Sequence, residues 1–490
     1  MQLERSKSMQ KIAMGLIAAN RGFFSDELAA KMRAATIAAM EKAGIEAVAP
    51  DETMTNAGTV GTYAEAKACA KLFRDRGVQG IIVAAVNFGD EQSVAVAVKE
   101  TGLNVPVLIF ACQEEEALTM STPRRDSFCG LLSIGEALRQ IDAKYTVARV
   151  PVCFPGDASF AEELQRFSAV CRVVNGVRGA RYGQIGARPN DFWTCRFDEK
   201  SLQAKLGVTT VTLDLSEAIG AVERMDPNAP EVQETVKAIS SYTDVASAPG
   251  EAVNKQARLE VFLRGFVRDF DLDALAIQCW TSIQANLGIC SCTVMGRLGD
   301  EGIPCACESD ILGALSMHSL RLASQDSTGL ADWNNVHNDD PDLVNIWHCG
   351  VFPASFAKTA PRMAVQEIIA NDTGRDNAWG VTEFVAKEGP ITIARVTQDT
   401  RGAFKAVVVP ARFEDNEAKT FGAYGWARIP NLTDLYRDVL CRHFPHHTAF
   451  AAGDVADAVW EAFGNYLDFE VFTSGQSVPG MWTPVAPFSR

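Results

Sequence analysis

Residues 12–44 read IAMGLIAANRGFFSDELAAKMRAATIAAMEKAG. Ile12 to Ala19 is an unbroken apolar run, the pattern of a strand buried on both faces. Ser25 to Lys42 follows as a helix, with Asp26 and Glu27 in its first turn and Gly44 just past its end. The same alternation then recurs. Thr62 and Glu65 have capping-box spacing and open a helix that stops at Gly77, after which Gly80 to Val86 reads as a second buried strand. A helical stretch from about Asp90 leads to a third strand, Val105 to Ala111. Strand, helix and strand in this order predict a doubly wound parallel sheet, which takes ligands beyond the carboxyl ends of its strands. Those ends fall near Asn20-Arg21, Asn87-Phe88 and Gln113-Glu114. A G-x-G-x-x-G fingerprint and a P-loop are both missing, so a dinucleotide or ATP site has no support.

Working outward, helical stretches at Leu132 to Tyr145 and Phe160 to Val174 precede a second round of alternation. Its strand candidates are Tyr182 to Ile185, Val208 to Leu213 and Ala274 to Trp280, with a long helix from about Glu251 to Phe270. Past Asp332 the character changes: Ile391 to Val396 and Phe404 to Val409 read as strands between polar turns, followed by a loop-rich stretch and a helix at Val455 to Phe463. The expected organisation is therefore an α/β domain over 1–165, a second Rossmann-like α/β domain over 166–330 carrying Glu308, and a mainly antiparallel, barrel-like domain over 331–490 carrying Asp332, His348 and His447.

At 490 residues, two or three domains are the expectation, and 47 % apolar with 22 % charged residues is a globular balance. A net charge of -15 disfavours nucleic acid or an anionic membrane as partner, because both are polyanions. Met1 to Gln10 are polar and charged, with no secretory pattern, and no apolar run is long enough to span a bilayer. The 13 cysteines then read as reduced thiols, and the expected location is the cytoplasm.

Chemistry concentrates late in the chain. Glu308 lies in Cys305-Ala306-Cys307-Glu308-Ser309-Asp310, at a strand-to-helix junction where the helix dipole keeps a carboxylate ionised. Asp332, in Ala331-Asp332-Trp333, is an acid among apolar neighbours and calls for a partner. His348 follows in Ile346-Trp347-His348-Cys349, and His446-His447 in a polar loop. Two carboxylates with one or two imidazoles suit Mn²⁺, Mg²⁺ or Co²⁺. A zinc alternative rests on Cys290-x-Cys292 and Cys305-x-Cys307, whose spacer is shorter than the usual two residues.

The stretch from Gly302 through Glu308 to Leu315, the Ala331-Asp332 that follows and the late Pro445-His446-His447 together resemble the L-fucose and L-arabinose isomerase superfamily, over about 275–450. That resemblance implies three domains, a Mn²⁺-type cation held by Glu308, Asp332 and His447 with His348 as an additional histidine, and a homo-oligomer, often a hexamer, whose sugar site is closed by a neighbouring subunit. It implies substrate contacts from Gln278, Trp280 and His446. Asp332 resembles the fucose enzymes, whereas His446 and the placement of His348 resemble the arabinose enzymes, which leaves the sugar open.

The expected reaction is aldose–ketose isomerisation through a cis-enediol(ate), in which the cation polarises the sugar oxygens and Glu308 and Asp332 share the proton transfer. An anionic sugar is a second reading, with Arg21, Arg124 or Arg297 as anchors. A non-catalytic sugar-binding or regulatory protein is a third.

Overall fold

The computed structural model describes residues 11–415 and 420–473. The reading of Met1 to Gln10 as free of a leader, and the end of the 331–490 segment, lie outside the described residues. Contacts divide the chain into two compact units, one ending at Asn175 and one beginning at Gly176. The helix Ala158–Val177 runs through position 165, where the sequence reading put a boundary.

In the first unit, strands β1 (Ala13–Ala19), β2 (Glu46–Val48), β3 (Gly80–Ala85), β4 (Val107–Cys112) and β5 (Thr146–Cys153) form a parallel sheet ordered β2-β1-β3-β4-β5. The central strands β3 and β4 are buried at every position, which is why they read as continuous apolar runs. The helix Asp26–Lys42 starts where expected, with Ser25 Oγ accepting from Leu28 N at 3.3 Å. The helix Tyr63–Arg76 begins at the Thr62 cap and ends at Gly77, whose φ of 58° is the left-handed conformation that glycine adopts without strain. One expectation is displaced: the helix assigned to Leu132 to Tyr145 is Ser127–Gln140, and β5 follows it. β5 is an edge strand that is exposed over Arg149 to Pro151, so it gave no continuous apolar signal.

The second unit opens with β6 (Arg181–Ile185), β7 (Thr209–Leu213), β8 (Ala274–Ile277) and β9 (Cys305–Ala306), a parallel sheet ordered β7-β6-β8-β9. Strands β10 (Thr328–Val336), β11 (Leu343–His348), β12 (Arg362–Val365), β13 (Trp379–Val385), β14 (Gly389–Gln398), β15 (Phe404–Phe413), β16 (Ala423–Arg428), β17 (His447–Ala452) and β18 (Glu470–Phe472) build a nine-stranded sheet ordered β12-β13-β16-β11-β10-β17-β14-β15-β18. This sheet is mixed: β13 with β16 and β15 with β18 pair in parallel, the other pairs antiparallel. The pairing is mainly antiparallel, as expected, within one large mixed sheet, and a short additional pairing joins β15 to β16 at Arg412 and Phe413. Its core gathers Ile346, Phe352, Ile393, Val409, Phe413 and Phe450. Among the described residues, no helix is long and apolar enough to cross a membrane.

Candidate active site

Two sheets of the second unit meet at the site. β9 ends at Ala306, and the helix Ile311–Ser324 begins five residues later, so Glu308 sits in the tight connection between them. Glu308 and Ser309 both take left-handed backbone, with φ of 55° and 53°. Two consecutive non-glycine residues there are costly, and such strain gathers at functional sites. Ser309 anchors the turn through its N–H to Ile277 O at 3.0 Å and its hydroxyl to Ile185 O at 3.3 Å.

The large sheet supplies the other groups. Asp332 on β10 and His447 on β17 are direct cross-strand partners, and Asp332 is opposite Trp347 on β11, which places His348 one residue on. Three segments distant in sequence are therefore brought together by strand register alone.

His447 is fully buried and links two acids. Its Nδ1–H donates to Asp310 Oδ2 at 2.9 Å, and its Nε2 lies 2.9 Å from Glu308 Oε2 and 3.8 Å from Asp332 Oδ1. Asp310 also caps the helix by accepting from Gly313 N at 2.9 Å, and it forms a two-pronged ion pair with the buried Arg395 guanidinium of β14, one contact at 3.0 Å. Arg395 and Asp310 thus fix the orientation of the ring, with Nδ1–H toward Asp310 and Nε2 toward the two carboxylates. A carboxylate behind a histidine is the usual backing of a metal-ligating imidazole.

Among the described residues, Asp332 Oδ1 is buried without a hydrogen-bond partner, and the one polar contact of buried Glu308 Oε2 closer than 3 Å is with His447 Nε2 at 2.9 Å. Ligands bound about 2.1 Å from a small divalent ion stand about 3 Å apart in neighbouring positions, which matches the Glu308 and His447 spacing. Donor atoms of Glu308, His348 and His447 lie within 4.8 Å of one another, as do those of Asp332, His446 and His447. Oxygen and nitrogen donors that include two buried carboxylates converging on one imidazole fit a divalent cation.

His348 differs from His447 in its proton. Cys349 N–H donates to His348 Nδ1 at 2.9 Å, so a neutral His348 ring carries its hydrogen on Nε2. Burial opposes charge on both rings. For His447, Glu308 and Asp310 outweigh burial and push its pKa well above the ordinary value; for His348, Cys349 and the site acids raise it to about 9. Burial would raise Glu308, but His447 and Trp280 hold it low, whereas Asp332 is pushed up by burial. His446, half-buried, is lowered to about 4 by burial and by the charge on His447.

Around these groups stand aromatic walls. Trp280 donates from Nε1 to Glu308 Oε1 at 2.9 Å, and its ring meets Phe192 edge-on at 5.2 Å. Phe192 also packs edge-on against His446 at 5.3 Å. Gln278, at the end of β8, spends its side-chain oxygen on Ala187 N at 2.9 Å and so holds the loop that carries Phe192. Asp310, Arg395, Phe192 and Cys195, whose Sγ lies 3.9 Å from His447 Nδ1, were missed by sequence reasoning. Only Asp310 left a trace, as an acid beside Glu308 that also serves as a helix cap.

The Cys-x-Cys alternative is not supported by the packing. Cys307 meets Cys279 at 2.6 Å and Cys292 meets Cys349 at 3.8 Å, while Cys290 is near Gln284, so the four thiols of the two motifs do not gather around one point. The three arginines considered as anchors are all engaged: Arg21 with Glu91, Arg124 with Asp126, and Arg297 with Glu260 and Glu301. At the strand ends of the first unit, Asn87 donates to Asn20 at 2.6 Å and Asn20 to Asp26 at 2.7 Å, so these turn amides serve the fold.

Comparison with known proteins adds the family. Residues 15–178 match the N-terminal domain of fucose/sulfoquinovose isomerases, and residues 346–474 match the L-fucose isomerase C-terminal domain. A sulfoquinovose isomerase of Alkalicoccus urumqiensis is 29 % identical over 68 % of this chain and 73 % of its own length. Sulfoquinovose isomerases of Priestia megaterium and of a Clostridium species are 27 % and 23 % identical, over 64 % and 65 % of this chain and 69 % of their own lengths. With both of its matched segments assigned to that family and its relatives sharing one activity, the chain belongs to the fucose isomerase family and is a sugar isomerase.

Proposed function

We propose that the protein interconverts an aldose bearing an anionic group, of the sulfoquinovose type, and its ketose through a cis-enediol, using a divalent cation held by Glu308, Asp332 and His447. The observation that carries this reading is the convergence of two buried carboxylate oxygens, from Glu308 and Asp332, on the one imidazole nitrogen of His447, at 2.9 and 3.8 Å. The sulfonated substrate rests on the relatives' activity.

When bound, the cation supplies Lewis-acid polarisation of the sugar's first two oxygens. Mn²⁺ suits the donors best, with Mg²⁺ and Co²⁺ as alternatives. Glu308 and Asp332 approach from different sheets, so one removes the proton from carbon while the other serves the hydroxyl. Trp280, by holding Glu308 Oε1, sets the direction of that carboxylate. His348 would supply a fourth ligand as a neutral ring, with Nε2 free and its one hydrogen on Nδ1, a tautomer that gives up the hydrogen bond from Cys349 N–H. Gln278 and His446 contact sugar hydroxyls, and Trp280 with Phe192 gives an apolar wall. The homo-oligomeric state, a cytoplasmic location and a division of the second unit near residue 330 belong to the same proposal.

Glu308→Gln tests it. Turnover of a panel of neutral and 6-sulfonated aldoses with Mn²⁺, read by NMR, is expected to fall by about 10³-fold or more with melting unchanged, since both a proton-transfer group and a charged ligand are lost. Full activity in that variant contradicts the assignment.

A further inference from the structure

An enzyme with a net charge of -15 and several acids at its centre needs a fixed cation to hold an anionic sugar. Several arginines of the second unit are already paired with acids. Arg395 is spent on Asp310, Arg297 on Glu260 and Glu301, and Arg264 on Glu260 and Glu301.

Arg188 is different. It lies half-buried on the loop that follows β6, between Gly186 and the Trp193–Cys195 turn, and pairs with no acid among the described residues. One corner of its guanidinium is fixed: Nη1 donates to Pro189 O and to Asn190 O, both at 2.9 Å. The Nε and Nη2 edge, which makes two-pronged contacts with oxyanions, has no protein partner among the described residues. A guanidinium pinned by backbone at one corner and open along its fork is organised before any ligand arrives.

The loop is tied to the site at both ends. Ala187 N–H donates to Gln278 Oε1 at 2.9 Å, four residues after Arg188 the Phe192 ring packs on Trp280 and His446, and Cys195 lies 3.9 Å from His447. Arg196, at the far end, is covered by its own neighbour, with its guanidinium over the Trp193 ring at 4.0 Å.

We infer that Arg188 is the specificity-determining anchor for the anionic substituent of the sugar, engaging two of its oxygens through Nε and Nη2. This rests on the proposed reading of the substrate as an anionic aldose. The fork supplies direction as well as charge, so lysine does not replace it.

The test uses the full-length, Mn²⁺-loaded protein. Wild type is first titrated by calorimetry with a 6-sulfonated hexitol, which cannot isomerise, and with the unsubstituted hexitol. Preference for the sulfonated polyol is expected, and Arg188→Gln and Arg188→Lys should each reduce that preference by about 10- to 100-fold, the scale of a charge-assisted two-pronged contact. The ratio of kcat/KM for the sulfonated over the neutral aldose should fall alongside it, mainly through KM. No preference in the wild type, or an unchanged ratio in well-folded variants, overturns the role of Arg188. Preferential binding lost on substitution, without turnover of the sulfonated aldose by the wild type, keeps the anchor and overturns the proposed reaction instead.

Discussion

At the scale of the residue, the centre of the account is the ordered set Arg395, Asp310, His447 and Glu308. Glu308, Asp332 and His447 stand out by their distinctive local sequence, and the structure brings them together. Asp310 was not read as part of the site, because its role depends on Arg395 and His447, 85 and 137 positions away. Asp310→Asn should weaken Mn²⁺ binding by about 10- to 100-fold in calorimetry, as expected when the group behind a ligating histidine is altered. It should also lower the melting temperature, since a buried arginine left without its carboxylate costs about 3–5 kcal/mol. Unchanged Mn²⁺ affinity would remove Asp310 from the site. His446 gives a second check in the metal-free protein. Its pKa is lowered from 6.5 to about 4, so between those values the unfolded chain takes up the proton first. The contribution of this histidine is therefore fully present above about pH 6.5 and is lost as the pH falls toward 4. NMR titration of the imidazole should place its midpoint near 4, and a midpoint near 6.5 would contradict the burial seen here.

At the scale of the element, the strand-to-helix turn at Glu308 and the loop after β6 position the site. The turn was readable, since an apolar strand, an acidic cap and a helix appear in order. The loop was not, because its ties run to Gln278, Trp280 and His446, which local pattern cannot reveal. Gly186 opens that loop with φ of 74°, and a Cβ there would fall 2.5 Å from Gln278 Oε1. Gly186→Ala should shift the loop and lower kcat/KM by about 10- to 100-fold, the scale of a small misplacement of binding groups. Steady-state kinetics showing wild-type efficiency would mean that the loop does not position substrate groups. β5 was missed for a related reason: as a proline-containing edge strand it is only partly buried.

At the scale of the whole molecule, the first unit was legible because its central strands are buried on both faces and announce themselves as apolar runs. The large sheet was not, because its order is set by pairings such as β13 with β16 and β10 with β17, which join distant segments and leave no periodic trace. That same long-range register brings together the groups of the proposed cation site. Binding of Mn²⁺ to the folded state alone should raise the melting temperature, with a stabilisation of about 2.7 kcal/mol at a hundredfold excess over Kd. The most direct test of the central claim is NMR of a 6-sulfonated aldose in D₂O with EDTA-treated protein, before and after adding Mn²⁺. No ketose is expected in EDTA, and ketose with deuterium at the exchanging carbon is expected once Mn²⁺ is restored. Undiminished isomerisation in EDTA would contradict the claim.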